Sequence, residues 1–426
     1  MTKRGENILN ALRRSFAEHP PKRLGIAVSG GGDSVALMHA VSRFVEEGVP
    51  ELFVATVDHG LREGSENEAG QVAHMAEALG LPHTTLTWDG WDREGNLQAA
   101  ARDARYRLLS NWARDNALEA VALGHTADDQ AETVLMRLAR ASGVDGLSAM
   151  RPRKVLNGVT YVRPLLTVTR QELREFLEEI EVTWIDDPSN ADQRFDRVKA
   201  RHAMTQLGDL GITAKGLADV ASYMSEARRA LSWYTFLAAR ELDCTDGGEV
   251  VFDLRRFRAM PDEIARRLLA RAITWITRAD YAPRRAPLGE LLTAVRYRRG
   301  GTLGGCRIVY HDGQIWVCRE YNAVRELTAR PHQNWDNRWK VVKNPLCQSA
   351  QQSLQDDYEV RALGEVGLTQ CENWRDSGRP REALLASPSV WRGEELIAAP
   401  NAGLANGWSI EVHRGEEEFY APLLSH

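Results

Sequence analysis

The chain has 426 residues, 43% of them hydrophobic and 27% charged, with a formal net charge of -5; this is the balance of a globular protein of two or three domains. No apolar run is long enough to span a bilayer, so no membrane association is expected, and the charged start (Lys3, Arg4, Glu6, Arg13, Arg14, Glu18) lacks the apolar core of a signal peptide. Cys244, Cys306, Cys318, Cys347 and Cys371 are odd in number and never spaced CxxC, which argues against a disulfide framework or zinc site and for a reducing cytoplasm.

In chain order, the N-terminal half alternates strand and helix. An apolar strand over 23–29 is followed by a helix over 33–47 and a second strand over 51–60. A helix over 66–79 stops at Gly80, a β-rich stretch covers 83–88, and a long helix covers 96–116. A buried-type strand, 119–125, leads into a helix over 127–140, in which Val134, Leu135 and Leu138 read as core. This alternation predicts an α/β fold with a doubly wound parallel sheet, whose ligands sit at the carboxyl ends of the strands. Ser29, Asp58 and His125 all lie at such ends, which predicts one site using all three.

Beyond about Ser189 the pattern changes. Residues 212–242 read as one helix, and 262–277 and 288–297 as two more, a helical middle domain. Strand-like pieces follow, with Asp312-Gly313 as a hairpin turn. From about Gln333 the chain reads as a small α+β domain. The expected division is 1–211, 212–330 and 331–426. Nine arginines between Arg266 and Arg299 face only Asp280 and Glu290, either a solvated helical face or a phosphate-contacting surface.

The stretch "AVSGGGDS" carries most chemistry. Three glycines between strand and helix let the backbone approach a ligand with no Cβ in the way. The free amides of the helix start, with the dipole behind them, favour an anion, and Ser29 and Ser34 add hydroxyls. It is neither Walker A nor GxGxxG. Asp33 would repel a phosphate unless Mg²⁺ bridges the two; otherwise Asp33 is a helix N-cap. Downstream, "GHTADDQAET" brings Asp128, Asp129 and Glu132 to a helix start, with Asp129 and Glu132 on one face. Three carboxylates are more than capping requires; they suit Mg²⁺ or a cationic amine.

The Ser-Gly-Gly-x-Asp-Ser loop resembles that of the PP-loop ATP pyrophosphatases, the adenine-nucleotide α-hydrolase-like superfamily. Adding "VDHGLREGS" (57–65), "NLQAAARDARYRLL" (96–109), "GHTADDQAET", "RPLL" (163–166) and "WIDDPSNADQRFDRVKAR" (184–201), the chain closely resembles bacterial tRNA(Ile)-lysidine synthetases over roughly 22–202. "GGTLGGC" (300–306) resembles that family's substrate-binding region more weakly.

The resemblance implies a ligase that forms a C–N bond and turns ATP into AMP and pyrophosphate. The wobble cytidine of a CAU-anticodon tRNA(Ile) would be adenylated at its C2 carbonyl oxygen, and free L-lysine would displace AMP through its ε-amine. By the same resemblance Ala27, Ser29, Gly30, Gly31, Gly32, Asp33, Ser34, Val57 and Gly124 would hold ATP, and Asp33 and Asp129 the Mg²⁺. Glu132, with Asp128 second, would receive the lysine ammonium. His125 and Arg105 would meet phosphates or the transition state, and Arg197 and Arg201, with Arg194 and Lys199, the adenylate or the tRNA backbone. Asp186, Asp187 and Asn190 would shape that last helix, while Trp184 reads as core. Residues 331–426 read as tRNA-binding or as dimerising, which leaves a homodimer open.

Two alternatives remain. A tRNA thiolase of the same superfamily needs catalytic cysteines or an iron–sulfur cluster, yet the first 243 residues contain no cysteine. A non-catalytic ATP-binding module would need the loop but not Asp128, Asp129 and Glu132.

Overall fold

A computed structural model describes every residue except 1–2, 46–50, 62–63, 89–90, 92–94, 186–195, 243–244, 280, 345–357, 414 and 425–426. Asp186, Asp187, Asn190, Arg194, Cys244 and Cys347 therefore lie outside the described residues. The chain forms two compact units, Met1–Arg228 and Arg229–Ser425.

The first unit runs α1 (Lys3–Phe16), β1 (Arg23–Ala27), α2 (Gly32–Val45), β2 (Glu51–Asp58), α3 (Ser65–Ala78), β3 (His83–Thr87), α4 (Leu97–Asp115), β4 (Ala120–Leu123), α5 (Ala127–Leu138), α6 (Val144–Leu147), β5 (Arg153–Leu156), β6 (Val159–Val162), α7 (Arg170–Glu179), α8 (Asp196–Leu207) and the start of α9 (Ala214–Leu242). Its sheet has the order β3-β2-β1-β4-β6-β5. The first five are parallel and β5 is antiparallel to β6. The central strands are apolar because both faces are covered, and β4 is buried throughout. Ile8, Leu12, Val35, Val72 and Phe176 pack from α1, α2, α3 and α7 in one core, while Tyr106, Leu109 and Trp112 of α4 build another. The connections after β1 and β4 diverge between these neighbouring strands, which opens a crevice at the topological switch point.

The second unit continues with β7 (Thr245–Asp246), β8 (Glu249–Asp253), α10 (Leu254–Ala259), α11 (Asp262–Thr277), α12 (Arg285–Arg296), β9 (Gly301–Leu303), β10 (Cys306–His311), β11 (Gln314–Arg319), α13 (Tyr321–Val324), β12 (Thr328–Ala329), β13 (Asn334–Trp335), β14 (Trp339–Lys343), β15 (Glu359–Ala362), α14 (Gly364–Thr369), α15 (Arg381–Leu385), β16 (Pro388–Arg392), β17 (Glu395–Ala398), β18 (Trp408–Val412) and α16 (Glu416–Leu424). α11 and α12 cover a five-stranded sheet, β7-β8-β11-β10-β9, in one core. Two smaller antiparallel sheets follow, β12-β15-β16-β17 and β13-β14-β18.

The sequence places boundaries at 211 and 330; the compact units divide within α9, and 331–425 share a unit with the five-stranded sheet. A buried ionic tie accounts for the latter. Arg338, 1% exposed, donates to the Gly248 carbonyl at 2.9 Å, pairs with Asp336 at 2.8 Å and faces Glu249 at 3.5 Å. Trp339 stacks under that guanidinium and donates to the Gly247 carbonyl at 2.8 Å. Among the described residues no helix is long and apolar enough to cross a membrane.

Candidate active site

The crevice holds a cavity of about 640 Å³. Its floor is the loop between β1 and α2. Gly30 has a φ of +86° and Ile185 lies 2.6 Å from where a Cβ would sit, so only glycine fits. Among the described residues the amides of Gly31, Gly32 and Asp33, which line the cavity, find no acceptor, which leaves three donors at the start of α2 as an anion cradle. The β4 side closes tightly on this loop. A Cβ on Gly124 would meet the Asp33 carbonyl oxygen and the Ser34 Cα at 3.0 Å each.

Most expected residues meet here. Ala27, Ser29, Gly31, Gly32, Asp33, Ser34, Arg105, Gly124, His125, Asp129, Arg197 and Arg201 line the cavity. Others do not. Gly30 is buried beneath the loop it shapes, and Val57 packs into the α4 core. Asp58 is turned away, accepting from the Gly60 amide at 2.9 Å in a local turn. The Ser34 hydroxyl, expected to face phosphate, is spent inside the loop. It accepts from the Ser29 amide at 3.1 Å and donates to the Gly31 carbonyl at 2.9 Å. Trp184 packs on the first core, as expected, and faces Gly32. On α5, Val134 is buried but Leu138 is 50% exposed, because α5 ends there and its last turn leaves the core.

The acidic cluster forms, and at its centre stands a residue the sequence did not single out. Arg170 begins α7, behind a capping box made by Thr169 and Glu172. Its Nε donates to Asp33 Oδ2 at 3.1 Å, Nη2 lies 3.5 Å from Asp129 Oδ1, and Nη1 lies 3.6 Å from Glu132 Oε1. Its amide donates to Asp128 Oδ2 at 2.7 Å. Burial works against the charge on Arg170, but Asp33 and Asp129 outweigh it and raise its pKa. Burial also raises the pKa of Asp33, and Arg170 only partly pulls it back. Asp129 is fixed by its own capping box, with Oδ2 accepting from the Thr126 amide at 2.9 Å and hydroxyl at 3.0 Å. Glu132, 2% exposed, is not on the cavity wall: Oε1 accepts from Arg201 Nε at 2.9 Å, and Oε2 is buried with no hydrogen-bond partner among the described residues. The residue expected to meet a lysine ammonium thus sits behind two arginines. The signal for Arg170 was available in "TRQE", a capping box with a basic first position.

Asp33 and Asp129 reach one guanidinium, so two carboxylates face a common cation position. That donor set fits Mg²⁺, which takes one or two carboxylates and completes its shell from water and substrate phosphates. Among the described residues no group of three or more His, Cys, Asp or Glu is placed to hold a metal ion. His125 is neutral: burial drives its pKa down to about 3, opposed by Asp129 and reinforced by Arg163, Arg105 and Arg197.

The PP-loop domain family matches residues 4–207. A tRNA(Ile)-lysidine synthase of Ruegeria pomeroyi is 54% identical over 99% of this chain and 98% of its own length. The chain belongs to the tRNA(Ile)-lysidine synthase family. The synthase of Wolbachia pipientis is 32% identical, covering 89% of this chain and 88% of its own. Among solved structures, the U34-tRNA thiolase NcsA of Methanococcus maripaludis aligns with TM-score 0.46 at 16% identity, over 52% of this chain and 78% of that one.

In the second unit the arginine-rich stretch divides into two sets. Arg266 and Arg267 pair with Glu263, Arg271 holds the Glu418 and Phe419 carbonyls, and Arg296 pairs with Asp262 at 2.6 Å. These four serve the fold. Arg278, Arg284, Arg285, Arg298 and Arg299 are exposed, and their side chains make no ion pair or hydrogen bond among the described residues. Tyr281 and Tyr297, 87% and 75% exposed, stand among them. "GGTLGGC" forms the β9–β10 hairpin, with Gly304 and Gly305 at positive φ in its turn.

Proposed function

We propose that this chain converts the wobble cytidine of a CAU-anticodon tRNA(Ile) to lysidine. In the first step the C2 carbonyl oxygen bonds to the α-phosphorus of ATP, and the bond to pyrophosphate breaks. In the second the lysine ε-nitrogen, having lost a proton, bonds to C2, and the C2–O bond breaks to release AMP. A carbonyl oxygen leaves poorly, whereas AMP leaves well, so ATP is spent on the leaving group.

The observation that carries this reading is the meeting of Asp33 and Asp129 on one cation beside three amides with no acceptor among the described residues, in a chain related over its whole length to lysidine synthases. The amides would bind the phosphates. Mg²⁺ held by Asp33 and Asp129 would offset the charge that develops on departing pyrophosphate. Arg105, Arg197 and Arg201 would stabilise phosphate oxygens from the opposite walls. Neutral His125 offers a hydrogen bond to the reacting atoms without adding charge. Glu132 would act through Arg170 and Arg201, which it holds in place. The exposed arginines and tyrosines of the second unit would meet the tRNA.

Pyrophosphate release with ATP, Mg²⁺, lysine and tRNA tests the assignment. Asp33→Asn and Asp129→Asn should each slow release by about 100-fold or more while the protein stays folded. Normal turnover by both variants would remove the metal assignment.

A further inference from the structure

Asp33, Asp129 and Glu132 converge on the guanidinium of Arg170, and the three differ in what else holds them. Asp129 keeps the Thr126 amide and hydroxyl, and Glu132 keeps Arg201 Nε at 2.9 Å. The Asp33 carboxylate pairs with Arg170 alone among the described residues. The backbone of Arg170 is pinned. Its amide donates to Asp128 Oδ2 at 2.7 Å, and the Thr169–Glu172 capping box fixes the turn that it opens. The side chain is held more loosely. Two of its three carboxylate contacts lie at 3.5 and 3.6 Å, and it lines the main cavity together with Arg174, one turn further along α7. An exchange of partners here is therefore a swing of one side chain about a fixed Cα.

The Asp33–Asp129 pair is also the position assigned to Mg²⁺, and both cations cannot stand there at once. Two positive charges a few ångströms apart in a part-buried site repel strongly. A triphosphate changes that balance, because its oxygens complete the metal's shell and offer a guanidinium bidentate partners. We propose that Arg170 is a resident counter-cation. It excludes a lone divalent ion from Asp33 and Asp129, yields when the metal arrives with a nucleotide, and then pairs with the phosphates. This rests on the metal assignment of the proposed function. Metal and nucleotide are thereby made to bind together, a coupling set by one side chain. The same residue neutralises the three carboxylates whenever the metal is elsewhere.

The test uses Mn²⁺, which takes the same oxygen ligands and is read by electron paramagnetic resonance, and α,β-methylene-ATP, which cannot be split between its α and β phosphates. Wild type, Arg170→Met and Arg170→Lys are compared at a temperature where circular dichroism shows each folded. Two affinities are measured, for Mn²⁺ alone and, by equilibrium dialysis, for the nucleotide in saturating Mn²⁺. Arg170→Met should bind lone Mn²⁺ about 10-fold more tightly than the wild type and the metal–nucleotide complex about 10-fold more weakly. A merely structural loss would weaken both. Adding Asp33→Asn to Arg170→Met should remove the gained site, and Arg170→Lys should return the lone-ion affinity towards the wild-type value. Lone Mn²⁺ bound no more tightly by Arg170→Met would overturn the proposal. So would a complex bound more tightly in step with the lone ion, since Arg170 would then never join the phosphates. The wild type also tests it without any variant: equal nucleotide affinity in EDTA and in saturating Mn²⁺ would mean no coupling. No Mn²⁺ bound by any of the proteins, with or without nucleotide, would instead overturn the metal assignment, and this proposal with it.

Discussion

Replacing Arg170 with alanine leaves Asp33, Asp129 and Glu132 facing one another without their shared cation. Removing one partner from a buried ionic group costs about 3–5 kcal/mol. The lower end applies here. The Arg170 side chain keeps 19% exposure, two of its three contacts exceed 3.4 Å, and Arg201 still holds Glu132. For a unit of this size, about 3 kcal/mol corresponds to a fall of roughly 6–12 °C in Tm. The assay is thermal unfolding of the first unit, with and without millimolar Mg²⁺. In the wild type the guanidinium competes for the metal position, so Mg²⁺ alone should shift the melt little. In Arg170→Ala that competition is gone, and Mg²⁺ should restore about 1–3 kcal/mol by mass action. The deficit should also shrink in acid. Asp33 already has a raised pKa in the folded state, and losing Arg170 raises it further. The folded protein then binds a proton that the unfolded chain does not, so stability rises as pH falls towards the usual carboxylate range. A variant that melts within about 2 °C of the wild type, or gains no more from Mg²⁺ than the wild type does, would refute the reasoning.

Three other outcomes are expected. Gly124→Ala forces a Cβ to 3.0 Å from the backbone of Asp33 and Ser34, so it should cost about 1–3 kcal/mol and raise the KM for ATP; unchanged values for both would mean the loop yields freely. Converting Arg278, Arg284 and Arg285 together to alanine should weaken tRNA binding and lower the salt-dependence slope by about 2–3, whereas equal affinity and slope would make that surface plain solvent-facing helix. Burial raises the carboxyl of Glu249 from 4.5 to about 7, with Arg338 opposing, so folded Glu249 takes up a proton as pH falls across that interval and the second unit gains stability; Glu249→Gln should lack this gain, and an identical pH profile of Tm would contradict it.

What the sequence showed was mostly local. Apolar β1, β2 and β4 fill a sheet covered on both faces, and Asn96, the Thr126–Asp129 capping box and Asp312-Gly313 mark their own helix starts and turn. In the β5–β6 hairpin Asn157-Gly158 carries the same turn signal, with both residues at positive φ, but its two strands are only four residues each and show no distinct period in the sequence. The remainder is a matter of long-range placement. Arg170 meets Asp33 across 137 positions, and Arg338 reaches Gly248 across 90, so no window along the chain relates them. Ser34 and Glu132 occupy motif positions as expected, but which way a hydroxyl or carboxylate turns depends on neighbours that only the fold supplies.

The most direct measurement of the central claim is to incubate the protein with ATP, Mg²⁺, radiolabelled lysine and bulk bacterial tRNA, then digest the tRNA and identify the labelled nucleotide. Label confined to the wobble cytidine of the CAU-anticodon isoleucine tRNA, with one pyrophosphate and one AMP formed per lysine attached, is the predicted result. Label on another nucleotide, or ATP bound with no pyrophosphate released in the complete mixture, would contradict the account.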